Sequence, residues 1–389
     1  RSQHLRYMPY ARSSPIERPT DAERDPDLGT LDGALLRQGR LESTDTTMEV
    51  LQEANNAWEA RQADRERRRR HRNYVFGLQW QDTIEHEGQT MTEKQAIEGE
   101  GREAWQMNHL RPVIRNLKGQ LRQNSSDRQA FAVDREDTEA AEIMTKALRE
   151  ARRINMMESL EADNFLEHLM GGEAAFHVGY KYQPRYDRAE VTYRVVNMLR
   201  FFKNPDSNDR RGHDTSIIGE IHDMSTDEIV AAFAPNDPDV AEAIRYYYGQ
   251  DYNQRNYYGY EQFNRSDSLD FYSTADSDLN RVIEIWRREL RETRILHDPA
   301  EPGRYEVDRE EFDDERIQAE NQLRRQQGVP PLQVQDRSEM TWMGYMLTPT
   351  GEVLWAGETP YWHQEHPYAH GWAEKMDNES RGLLVDLID

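Results

Sequence analysis

The stretch Asn108-His-Leu-Arg-Pro-Val-Ile-Arg-Asn-Leu-Lys-Gly-Gln-Leu-Arg-Gln-Asn124 reads as one helix carrying two stripes. At roughly 100° per residue, Leu110, Val113, Ile114, Leu117 and Leu121 fall within about 100° of arc, an apolar face suited to a protein core. Arg111, Arg115, Lys118 and Arg122 form a narrower basic stripe about 110° round from it. Pro112 is tolerated near the start, where a missing N–H loses no partner. The pattern alone fits a surface helix with a solvated basic face. The sharper reading is a helix of a large assembly, whose basic stripe meets a polyanion or an acidic neighbour.

Upstream, a helix is expected from about Thr46, with Met48, Leu51, Ala54 and Trp58 on one face. It runs into residues 61–72, which hold seven arginines against Asp64 and Glu66. Arg67, Arg68, Arg69 and Arg70 are its densest part and are candidate contacts to nucleic acid or to another subunit. The plainer reading is a solvated helix end or an inter-subunit ion-pair face. Next come Tyr74-Val-Phe-Gly-Leu-Gln-Trp80 and Gly101-Arg102. Downstream, residues 136–170 read as a long helical stretch whose apolar face is Ile143, Ala147, Leu148, Ala151, Leu160, Leu166 and Leu169. Gly171-Gly172 ends it as a left-handed cap would. Strands are expected at 174–182 and 191–196, and Ser225-Thr-Asp-Glu228 is a capping box that opens a short helix through Phe233.

This ordered set resembles the N-terminal half of portal proteins of tailed bacteriophages, of the short-tailed, podovirus-like kind. There an arginine-rich helix leads to a Tyr/Phe-x-Gly-x-Gln-Trp element. An Asn-x-(hydrophobic)-x-Pro helix follows and ends in Gly-x-x-Arg-Gln-Asn. Met224-Ser225-x-x-Glu228 and Val282-Ile-Glu-Ile-Trp286 continue the likeness, which covers roughly residues 45–389. Asn204-Pro205-Asp206 matches the family's loop only in part, since its second Asp-Pro is missing.

The resemblance implies an α+β, mainly helical subunit of wing and stem type. It places an extended arm at 1–44, the wing and first stem region at 45–295, an inserted α/β clip module at 296–360, and the return to a second stem helix at 361–389. It further implies a ring, by family a dodecamer, at one capsid vertex of the virion, assembled in the host cytoplasm. The partners implied are double-stranded DNA, terminase, the major capsid protein and neck or tail adaptor proteins, with no cofactor. In the clip, residues 298–320 carry ten carboxylates against three arginines, net −7. Asp308 with Glu311 is expected to cap a helix there. Glu310, Glu311, Asp313 and Asp314 are candidate docking residues for the motor and then the tail.

Composition bounds these readings. The chain has 389 residues, long enough for two or more domains. Its hydrophobic content is only 36%, against 32% charged, so an elongated or oligomeric subunit is expected. Pro9, Pro15, Pro19 and Pro26 with little periodicity suggest that residues 1–44 are an extended arm. Seven tyrosines in residues 245–265 suggest a surface insertion. The absence of cysteine excludes disulfides and thiolate metal sites, and no apolar run is long enough to span a bilayer, so a soluble, non-secreted protein is expected. The chain begins at Arg1 without a Met and closes on an uncapped apolar segment, 382–389, so it is expected to continue in both directions.

A net charge of −23 argues against an ordinary sequence-reading nucleic-acid binder and is neutral towards a channel, which must not grip its cargo. His363, Glu365, His366 and His370 are spaced somewhat like metal ligands, yet Pro367 breaks any helix that would align them. No phosphate-cradling loop, nucleophile elbow or dinucleotide-binding glycine pattern is present, and no enzyme is expected. The rivals to a portal are a non-catalytic nucleic-acid-binding or scaffold protein of virion assembly, and a metal-dependent nuclease.

Overall fold

The computed structural model describes residues 35–388, apart from 38, 87, 125–127, 184–187, 210–211, 236, 259–268, 275, 277, 300–302, 309–311, 362 and 377–378. Most of the expected arm therefore lies outside the described residues. Its end does not behave as an arm. β1 (Leu36–Arg37) and β2 (Arg40–Leu41) form a hairpin, and Leu35, Leu36 and Leu41 pack into the core. Three leucines in seven residues supply enough apolar surface to fold back.

Thr44 caps α1 (Asp45–Ala60) in a capping box with Thr47. Its buried face is Val50, Leu51, Ala54, Ala57 and Trp58, while Met48 stays exposed over Gly351. α2 (Gln62–Phe76) follows almost without a break and ends on left-handed Gly77. A small hairpin of β3 (Thr83–His86) and β4 (Gln89–Thr92) leads through α3 (Glu93–Gly99) to α4 (Leu110–Gln123). The long stretch expected at 136–170 is two helices, α5 (Thr138–Ile154) and α6 (Met157–Gly171). They turn at Asn155–Met156, where Met156 adopts φ 50°. Gly172 then caps α6 at φ 72°, and a Cβ there would collide with the Arg381 backbone.

β5 (Glu173–Gln183) and β6 (Arg188–Val195) follow as read from the sequence, then β7 (Phe201–Lys203), β8 (Ile217–Met224), α7 (Thr226–Phe233) behind the Ser225 capping box, and α8 (Pro238–Tyr258). The first tyrosines of the expected insertion are structural: Tyr248 is buried and donates to the Arg281 carbonyl at 3.0 Å. Then come β9 (Asn280–Asp298), β10 (Gly303–Asp308), α9 (Asp314–Gln326), β11 (Gln333–Leu347), β12 (Val353–Glu358) and β13 (Tyr368–Trp372). The chain closes with the hairpin β14 (Glu374–Met376), β15 (Glu379–Arg381) and one helical turn, α10 (Val385–Ile388).

The architecture is α+β. The central antiparallel sheet runs β12-β11-β9-β8-β7. α1 covers one face, against Ile217, Ile221, Ile283, Ile285 and Tyr345. The other face is shared by α7–α8 over Val282 and by the three-stranded sheet β13-β5-β6 over Trp286 and Ile218. A separate helical cluster joins α2, α4 and α6 with Leu384. β9 and β11 run past the central sheet together, and β10 pairs with β9 only in this outer part. There α9 closes a small core of Leu296, Phe312 and Ile317. Met343–Leu347 and β12 lie in the central core, outside this outer unit.

Candidate interaction surfaces

The arginine-rich helix turns much of its charge inward. Arg61, Arg68, His71 and Val75 share the buried face of α2, a spacing of seven, three and four residues. Arg68 lies beside Gly171, where a Cβ would overlap its guanidinium. It donates to the carbonyls of Glu167 (2.9 Å) and Glu173 (3.0 Å), and burial pushes its pKa down. Arg68 is thus committed within the subunit and offers no surface to a partner. Arg67 pairs with Asp64, Arg70 with Asp82 at 2.9 Å, and Arg69 is likewise engaged. Arg65 stacks on Trp58 at 3.8 Å, and burial lowers its pKa to about 10. The run of like charge hid this division, although the Trp58–Arg61–Arg65–Arg68 spacing carried the signal.

Glu173 sits at the junction of α6 and β5, wholly buried. Arg61 reaches its Oε2 at 2.5 Å and Lys203 its Oε1 at 2.9 Å. Burial alone would raise its pKa, but the two cations hold it well below the usual carboxylate range. A second buried carboxylate, Glu284, takes His222 Nε2 at 2.8 Å, Trp286 Nε1 at 2.8 Å and His177 Nε2 at 3.5 Å. Burial opposes its charge, yet these hydrogen bonds from the two histidines keep it ionised. Glu173 was not singled out from the sequence, and Glu284 entered only as part of the Val282–Trp286 motif, with no role assigned. Both bind layers together: Glu173 joins α1–α2 to β5 and β7, and Glu284 joins β9 to β8 and β5.

α4 lies where expected, but its packed side is rotated towards the cations. Ile114 is buried, Leu110 and Leu117 are half-buried, and Val113 remains 48% exposed. Lys118 is drawn to Asp163 of α6 at 3.0 Å. Arg111, Arg115 and Arg122 are exposed, with no side-chain partner among the described residues. The four-residue stripe is therefore three available cations and one internal tie.

In the outer unit, Glu310 and Glu311 lie outside the described residues. Residues 303–308 form β10, and the helix begins later than expected, with Asp313 rather than Asp308 as its cap, accepting from Arg316 N–H at 2.8 Å. Asp314 and Asp336 both pair with Arg294 at 2.7 Å, and Asp298 pairs with Arg324 at 2.6 Å. Much of the acidity thus holds this unit together.

The histidines of 363–370 do not converge. His363 edges on Tyr361, His366 on Trp342, and His370 stands 3.4 Å from Lys203 Nζ. Burial holds His366 down to about 3, and burial beside Lys203 holds His370 to about 4. Among the described residues no three His, Asp or Glu side chains form a metal-sized group, and no helix is long and apolar enough to cross a membrane.

The family model for the phage P22-like portal protein matches residues 51–389. No curated protein matches the sequence significantly.

Proposed function

The chain belongs to the P22-like portal protein family of bacteriophages, a structural component of the virion, and on that premise we propose that it assembles into a closed ring at one capsid vertex. The ring, a dodecamer by the family's pattern, conducts double-stranded DNA inward under a terminase motor and outward at infection. The motor hydrolyses ATP; this subunit supplies a rigid pore and docking surfaces for capsid, terminase and then neck or tail proteins. The family match over 51–389 is the observation that carries the reading.

Physical chemistry supports it from two sides. A net charge of −23 keeps a passing duplex from being held, because each neutralised phosphate would add salt-dependent affinity. The densest basic run is spent largely within the subunit, which weakens the rival nucleic-acid-binding reading. Negative-stain imaging of the purified protein tests the proposal. Rings with a central hole are expected. A monomer that shows metal-dependent DNA cleavage or tight duplex binding would overturn it.

A further inference from the structure

Helix α5 is apolar on two sides. Its inner side, Ala141, Leu148 and Ala151 with Thr145, is half-buried. Its outer side carries Ala140 and Ala147 with Ile143, Met144 and Ile154, which are 61%, 55% and 41% exposed. The segment leading into it exposes Phe131 and Val133 almost completely. One stripe suffices to seat a surface helix, and a second leaves apolar area in water unless something covers it. Beside this second stripe stand Glu136, Asp137 and Glu139, all exposed and without a partner among the described residues.

α4 presents the complement. Arg111, Arg115 and Arg122 line one margin of its outer side and Val113 the other. Between them lie Pro112 and Gly119, and the space over Gly119 is open, so another helix can come close. α4 and α5 are both seated on α6, yet among the described residues no ion pair joins Arg111, Arg115 or Arg122 to the carboxylates of α5. We infer that the outer side of α5 docks on α4 of a second copy of this chain, with its amino-terminal carboxylates pairing with that copy's arginines. The inference rests on the ring reading and gives the contact a direction: two different faces meet head to tail, as a closed ring requires. It also assigns the arginines to a neighbour's carboxylates rather than to DNA, where they would retard the duplex.

Assembly of the full chain, followed by native mass measurement at low and moderate salt, tests this with three proteins. The basic reversal is Arg111→Glu, Arg115→Glu and Arg122→Glu. The acidic reversal is Glu136→Lys, Asp137→Lys and Glu139→Lys. The third protein combines both. Each reversal alone is expected to lower the assembled fraction about tenfold or more, with helix content unchanged, and the combination to restore it. Mixing the two single reversals should also restore assembly, because alternating subunits then oppose unlike charges at every contact. Single reversals that assemble like the parent overturn this pairing and leave the ring reading standing. Folded reversals that neither the combination nor the mixture rescues overturn it as well. Normal rings with impaired DNA packaging in the basic reversal would assign the stripe to nucleic acid instead. A parent chain that never assembles overturns the ring reading and the pairing together.

Discussion

Replacing Glu173 by alanine would strand two cations. Arg61 and Lys203 are both buried against its carboxylate, and removing one partner of a buried pair typically costs about 3–5 kcal/mol. Arg67→Ala, which breaks a half-exposed pair with Asp64 on the same helix, should cost about 1 kcal/mol or less. Chemical denaturation of both variants measures the difference, and equal losses would mean that the Glu173 junction is not a structural tie. The histidines give a second prediction, on pH. His366 and His370 are held near 3 and 4, below the roughly 6.5 of an unfolded chain. Between those values the unfolded state binds more protons, so stability falls as pH drops through 6.5, by up to about 1.4 kcal/mol per unit for each histidine. The depressed carboxyls Glu173 and Glu284 act lower: their contribution is present above about 4.5 and lost beneath it. Thermal unfolding of His366→Gln/His370→Gln should show a flatter slope from pH 7 to 5 while keeping the acid limb. An unchanged slope would place its origin elsewhere. None of this was visible in the sequence, where a buried arginine and a solvated one have the same letter and only their spacing from Trp58 separates them.

The α5–α6 corner shows what sequence can and cannot convey about elements. Capping boxes are short-range and legible: Ser225 with Glu228 opens α7 where the spacing said it would, and Gly172 ends α6 in the left-handed region. The break at Asn155–Met156 has neither glycine nor proline to announce it. It is imposed from outside the helix, by Asn155 donating to Val191 O at 2.8 Å and accepting from Tyr193 N–H at 3.2 Å on β6. Such a cross-element bond leaves no local period to read. The outer halves of β9 and β11 are a related case: they are rich in charged and polar residues and become strands because the two face each other. The third prediction belongs here. Met156 holds φ 50°, which disfavours a Cβ, and its side chain is largely exposed. Met156→Gly should therefore stabilise the isolated subunit by about 1 kcal/mol in equilibrium unfolding. A destabilisation would show that the Met156 side chain contributes more than the backbone strain it carries.

At the scale of the whole molecule, β9 is the beam. Its 19 residues span roughly 60 Å at about 3.3 Å each, from the Val282–Ile285 core to Leu296 in the outer unit. The outer unit has few apolar residues of its own, and Arg294 and Arg324 clamp it to Asp314, Asp336 and Asp298. Asp298, Asp314 and Asp336 are therefore carboxylates that hold the unit together. Asp313 caps α9 and Asp314 is paired, so Asp313→Ala with Asp314→Ala should weaken the unit itself, by about 1 kcal/mol from the cap alone. Glu315 is exposed without a described partner, and Glu310 and Glu311 precede it in the same acidic stretch. Changing these three to Gln removes three negative charges and leaves Asp298, Asp314 and Asp336 in place. If the outer unit docks a basic surface of the packaging motor, this triple variant should form normal rings yet bind terminase more slowly at low salt. The gap from the parent should close as salt screens the field within about 10 Å at 0.1 M. Stopped-flow association across a salt series measures it. A motor that meets the triple variant as fast as the parent at low salt would confine the acidity of this unit to a structural and solubilising role.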